Sequence, residues 1–190
     1  MSGHPRVLIC RLPIADCRLN RRASDSSTQS ALGNHQSAIL MRLHEFLSDD
    51  AIDLTLRATQ KDEVLLEMIR LLKLDEAATS ALFRMARWRE HLGSTGVGRG
   101  IAIPHCRAPA IDHLRLAFGR TRDRIEYQSI DDQPVRFLFL IVAPPVEVSN
   151  NYLPVLGKIA QFAKEPDVPD RLLQITSPKE FLALLEEKGV

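Results

Sequence analysis

Residues 93–107, GSTGVGRGIAIPHCR, bring together the side chains best able to do chemistry in this chain. Gly93, Gly96, Gly98 and Gly100 free the backbone to take positive φ and leave room for an anion against its N–H groups. Ser94 and Thr95 add hydroxyl donors. Ile101, Ala102 and Ile103 then read as a short strand, and Pro104 keeps Ile103 extended while withholding its own N–H from any ladder. His105 is thereby delivered at a strand's end, the rim where ligands and reacting groups sit in α/β sheets.

The neighbours narrow what that imidazole does. No Gly-Lys-Ser/Thr follows the glycines, and G-x-G-x-G is not the dinucleotide fingerprint, which sets nucleotide binding aside. A metal needs two or three further ligands. Cys106 adjoins His105 on extended backbone and so points elsewhere, leaving only His113 nearby, and no metal or cofactor is expected. No G-x-S-x-G elbow is present for a serine triad. What remains is a histidine that itself accepts a group: neutral imidazole, with an ordinary pKa of about 6.5, is a nitrogen nucleophile whose second nitrogen can donate to a carbonyl and fix the tautomer. Cys106 reads as a small filler beside it, its thiol acidified only if exposed next to Arg107.

These residues need a folded frame, and the composition supplies one. Of 190 residues 45% are hydrophobic and 26% charged, with 25 basic against 24 acidic side chains, ordinary globular usage without the basic excess of a nucleic-acid binder. The longest apolar run, 137–143, is far short of the roughly 20 residues of a membrane-spanning helix. Residues 1–40 carry five Arg and two Asp. They show no sustained period, 21–36 is Ser-rich and polar, and the segment is expected to be a disordered leader: a flexible tail, or the product of a start assigned upstream of the true one. Its Arg- and Ser-rich, acid-poor character is shared with organelle transit peptides, whereas it lacks the apolar centre of a secretory signal. Three cysteines without a CxxC pair suit a reducing cytosol.

Domain-like patterning occupies 41–190. Alternation predicts a strand at 52–56. Thr59 with Asp62 reads as a capping box for a helix carrying Val64, Leu65, Met68, Ile69, Leu71 and Leu72. A second helix over 75–92 is expected to bury Ala78, Leu82, Met85 and Trp88 and to stop at Gly93 in a left-handed cap. Strands are predicted at 101–103, 114–121 and 135–143, the last a buried central strand, then helices at 151–163 and 168–174 and a final one capped by Ser177 with Pro178 and Glu180. About five helices and four or five strands predict one compact α/β domain, a mixed sheet flanked by helices. His44, His91 and His113 read as surface or cap groups.

The stretch GSTGVGRGIAIPH resembles the phosphorylation-site motif of enzyme IIA proteins of the mannitol/fructose class of the bacterial phosphoenolpyruvate-dependent phosphotransferase system, especially the nitrogen-regulatory branch. The likeness covers nearly all of 41–190, including MRLHEFLSDDAI, REHLGSTG, IDDQPV and the strand ending Ala143-Pro144. It implies that His105 takes a phosphoryl group from an HPr-like phosphocarrier in the cytoplasm, without a metal or cofactor, and that the chain signals its phosphorylation state to target proteins such as kinases or transporters. Arg89 matches the family arginine before the turn and would reach the phosphoryl oxygens as a planar fork. Ser94, Thr95 and Arg107 would add donors, Arg99 more weakly, and Asp131 reads mainly as a turn residue. One departure stands out: the family segment N-x-H-L is here Asn150-Asn151-Tyr152-Leu153, with Tyr152 in place of a second histidine, which implies slower transfer or a longer-lived phosphohistidine. Two other readings stay open, a sugar-specific IIA component passing phosphate to a IIB partner and an interaction module that is not phosphorylated.

Overall fold

Strand β6 (Val135–Ala143) organises the molecule because its side chains alternate between two apolar layers. Phe137, Phe139, Ile141 and Ala143 enter one layer, and Leu138, Leu140 and Val142 enter the other, the period-2 split of a strand covered on both faces. The computed structural model describes residues 42–146 and 150–190. The expected leader at 1–40, with Cys10 and Cys17, lies outside the described residues.

Around β6 the sheet is mixed and six-stranded, in the order β1-β5-β6-β3-β2 with β4 also on β6. Strands β1 (Ile52–Leu56) and β5 (Arg115–Ile125) pair in parallel, β5 runs antiparallel to β6, and β3 (Ile101–Ala102) and β4 (His105–Arg107) both run parallel to β6. Strand β2 (Gly96–Gly98) closes the edge antiparallel to β3. Helices α1 (Lys61–Arg70) and α2 (Glu76–His91) cover one face. Helices α3 (Tyr152–Lys164), α4 (Val168–Gln174) and α5 (Pro178–Glu187) cover the other, where Phe118 stacks on Phe181 at 3.9 Å. The expected α/β class holds, with five α-helices and six strands among the described residues.

Several expectations need correcting. Met85 and Trp88 are 44% and 62% exposed, because the buried stripe of α2 is Leu82, Ala86 and Glu90, four residues apart. Helix α1 starts after Gln60 without a side-chain cap, and Thr59 gives its N–H and hydroxyl to Glu63 rather than joining Asp62 in a box. Gly93 follows α2 at φ 156°, a positive value that glycine tolerates but far from the left-handed helical value near 57°, so no left-handed cap forms there. The predicted cap of the last helix is present, the Ser177 hydroxyl accepting from the Glu180 N–H.

The glycines of 93–107 act chiefly on the chain path. A Cβ on Gly96 would stand 2.4 Å from Ser129 Oγ, so only glycine lets β2 approach that loop. Gly98, Arg99 and Gly100 turn β2 into β3 with φ of 93°, 58° and 76°. Asp131 fixes this turn by accepting from the Arg99 N–H at 2.7 Å and the Gln133 N–H at 3.2 Å.

Candidate functional site

Strands β3 and β4 are one strand interrupted at Ile103 and Pro104. Ile101 stands opposite Phe137 and His105 opposite Ile141, so the register on β6 continues unchanged across the break. Cys106 packs into the layer under α1 and α2, which turns His105 the other way. The interruption also leaves the Ile103 carbonyl out of the ladder, and the His105 Nδ1 meets it at 2.8 Å. A carbonyl only accepts, so Nδ1 carries the proton and Nε2 holds the lone pair.

Arg89, in the last turn of α2, donates from Nε to His105 Nε2 at 3.1 Å and from Nη1 to the Gly93 carbonyl at 2.9 Å. Tyr152, at the start of α3, presents its ring to the imidazole edge-on with centroids 6.4 Å apart. Arg107 lies with its guanidinium 4.5 Å from that ring's centroid and donates to the Pro144 and Pro145 carbonyls. Arg89, Tyr152 and, through Tyr152, Arg107 therefore gather at His105. The Ser94 hydroxyl donates to the Tyr127 carbonyl at 2.8 Å, and the Thr95 hydroxyl to Glu90. Arg99 lies elsewhere, its guanidinium spent on the carbonyls of Lys164, Glu165 and Pro166.

Glu90 is the residue that inspection of the sequence missed. A charged residue near the end of α2, it is only 7% exposed. Its carboxylate accepts from the Thr95 N–H at 2.8 Å and from the Thr95 hydroxyl, and it pairs with Lys61 Nζ at 2.9 Å. Thr95 in turn accepts the Ile103 N–H at 3.0 Å. The end of α2 thus reaches both ring nitrogens, Nε2 directly through Arg89 and Nδ1 through Glu90, Thr95 and Ile103. The i, i+4, i+8 spacing of Leu82, Ala86 and Glu90 was the available clue.

Electrostatics favour the neutral ring. Burial holds the His105 pKa below its usual value and the Arg89 charge lowers it further, against the Ile103 hydrogen bond and the Glu90 charge, which raise it. Protonation is therefore harder in the folded chain than in the unfolded one. Stability tied to this ring is complete above about pH 6.5 and is lost as pH falls through the folded value. A proton NMR titration is expected to show His105 titrating below the ordinary imidazole value of about 6.5; a midpoint at or above that value would contradict it. Cys106 is unsuited to redox chemistry, since burial pushes its thiol up to about 12.

Among the described residues no cluster of His, Cys, Asp and Glu is placed to hold a metal, and no helix is long and apolar enough to cross a membrane. An imidazole with one nitrogen fixed and the other facing a guanidinium, on a mixed sheet between two helix layers, pairs a nucleophilic nitrogen with a cation suited to an anionic group. Residues 45–188 match the family model for the phosphoenolpyruvate-dependent sugar phosphotransferase system, EIIA 2, and the chain belongs to that family of phosphotransfer proteins. The nitrogen regulatory protein of Bradyrhizobium diazoefficiens is 31% identical over 133 residues, covering 70% of this chain and 86% of that protein. The PTS system fructose-specific EIIABC component of Bacillus subtilis is 29% identical over 77% of this chain, which spans only 23% of that relative. The crystal structure of nitrogen regulatory protein IIA-Ntr from Neisseria meningitidis superposes with a TM-score of 0.68 at 30% identity, covering 74% of this chain and 97% of that one.

Proposed function

We propose that the chain is a cytoplasmic regulatory phosphoprotein of the nitrogen phosphotransferase branch, accepting a phosphoryl group on Nε2 of His105 from an HPr-like phosphocarrier. The observation that carries this reading is the Nδ1 contact to the Ile103 carbonyl, which leaves Nε2 as the nucleophilic nitrogen. In the step proposed, the Nε2 lone pair forms the new N–P bond as the bond from phosphorus to the carrier's imidazolium breaks, in line through a loose transition state. The carrier's ring leaves neutral. His105 keeps its Nδ1 proton, and the positive charge its ring acquires is stabilised by the Ile103 carbonyl. Arg89 must then exchange partners, its N–H groups passing from the lone pair to the phosphoryl oxygens, where a planar fork suits the spread of negative charge.

Signalling rather than sugar flux is favoured by Tyr152. It takes the position where the family has a second histidine, and its phenol, unlike an imidazole, brings no cation to the phosphoryl group. A phosphoryl group adds about −1.5 to −2 charges to the rim, enough to reset affinity for kinases or transporters as regulatory targets. The test is incubation of the full chain with labelled phosphoenolpyruvate, enzyme I and HPr. Acid-labile phosphate is expected on the wild type, absent from His105→Ala, shorter lived on Tyr152→His, and retained when a fructose-class IIB domain is added. Label that persists on His105→Ala, or never appears on the wild type, overturns the phosphoacceptor reading. Passage to the IIB domain overturns the regulatory one in favour of a sugar-specific component.

A further inference from the structure

At the far end of β6 from His105, the β2–β3 turn, α4 and the ends of β5 and β6 enclose a cleft of about 320 Å³. Arg99, Arg124 and Arg136 line it, with Pro166, Pro169 and Leu173 as its apolar wall and Asp170 its single carboxylate. Arg120 stands close behind. The cleft is separate from the phosphoacceptor, because Phe137 and Ile141, the His105 partner, lie four residues apart on β6, roughly 13 Å along an extended strand.

The charges here are unbalanced. Arg120 gives its guanidinium to the carbonyls of Leu54, Leu172, Leu173 and Ile175, and Arg99 gives its own to those of Lys164, Glu165 and Pro166. Carbonyls satisfy the N–H donors and leave the positive charge uncancelled. Among the described residues Arg136 uses only Nε, on the Thr121 carbonyl, and its terminal nitrogens have no partner there. Arg124 is exposed and, among the described residues, has no hydrogen bond or ion pair. None of these four arginines has a carboxylate within ion-pair distance among the described residues, although their neighbours Arg171 and Lys188 are both paired. Burial and the Arg136 charge together lower the Arg120 pKa, the mark of crowded like charges. The crowding is local, since the chain as a whole carries a net charge of only +1.

We propose that this cleft binds a small phosphorylated molecule bearing an apolar or planar group, its phosphate held by Arg124 and the free nitrogens of Arg136 and its remainder against Leu173, Pro166 and Pro169. A charged fork facing an apolar wall is the lining expected for such a ligand, and the volume suits one of nucleoside monophosphate size. Asp170 opposes the anion and limits its affinity.

The full chain is titrated calorimetrically at fixed ionic strength with AMP, ATP and pyrophosphate. Saturable 1:1 binding of AMP or ATP is expected, about tenfold weaker in Arg124→Ala and tighter in Asp170→Asn, and saturation by pyrophosphate alone would overturn the part given to the apolar wall. Arg124 is a surface residue whose loss leaves the fold intact, and His105→Ala is expected to bind as the wild type does. The proposal fails if none of the three saturates below about 5 mM. It fails equally if Arg124→Ala binds normally, if binding disappears in His105→Ala, or if an acidic peptide occupies the cleft and the phosphorylated probes do not.

Discussion

Replacing Arg89 by alanine is expected to slow phosphorylation of His105 by about 10²–10³-fold, the usual cost of removing one preorganised donor from a developing charge. In the resting site its Nε–H occupies the Nε2 lone pair at 3.1 Å. Deletion therefore has two opposed consequences. It uncovers the nucleophile, which by itself favours attack, and it removes the cation that balances the phosphoryl oxygens in the transition state. The second dominates, because a covered lone pair costs one hydrogen bond of about 1 kcal/mol, whereas charge stabilisation in a site shielded from water is worth several. Arg89→Lys should fall between, restoring charge without the fork. Since the Arg89 charge lowers the His105 pKa, both the alanine variant's titration and the lower limit of its pH–rate profile should move upward, and the lysine variant's much less. Wild-type rates together with an unmoved titration would exclude this role. The comparison requires equal folded populations, checked by circular dichroism at the assay temperature.

Glu90→Ala is expected to be the most destabilising change near the site, at about 3 kcal/mol, because it removes one member of a buried ion pair and leaves the other unpaired. Lys61 retains 21% side-chain exposure against 5% for Glu90, so the stranded ammonium recovers part of its hydration. The Thr95 N–H and hydroxyl fare worse, since Thr95 is buried and loses its acceptor for both. Glu90→Gln keeps an acceptor for Thr95 and should lose less. Urea unfolding followed by fluorescence provides the measurement, and a loss below about 1 kcal/mol for the alanine variant would show that the network contributes little. The damage should extend to phosphorylation: Glu90 holds Thr95, Thr95 holds the Ile103 N–H, and Ile103 holds the imidazole. Slackness anywhere in that series misaims Nε2, and small misplacements are costly in a reaction that depends on alignment.

The parts of this architecture that were readable before the structure share a physical origin. Strand β6 and helix α4 occupy the predicted residues because a long apolar run and a short helix bounded by Pro166 and Thr176 leave few alternatives. Strands β2 and β4 were hidden because each has three residues, too few for a period, and because glycine in β2 disguises a strand as a loop. Trp88 was misplaced by counting apolar letters instead of following the stripe through the buried Glu90. At the site, His105 and Arg89 were legible as side chains with chemistry. The carbonyl of Ile103, which sets the tautomer, was not, because a main-chain oxygen has the same identity at every position and only the fold says which one is left unused.

The break between β3 and β4 leaves its register on β6 intact, and this limits what the site can adjust. The imidazole is carried by a strand hydrogen-bonded directly to the central strand, His105 opposite Ile141. A visiting carrier has to bring its phosphorus to a nitrogen that does not travel. On the role proposed above, discrimination between carriers would fall to the fit of the surrounding rim, and two carriers presenting the same contour are expected to be served alike.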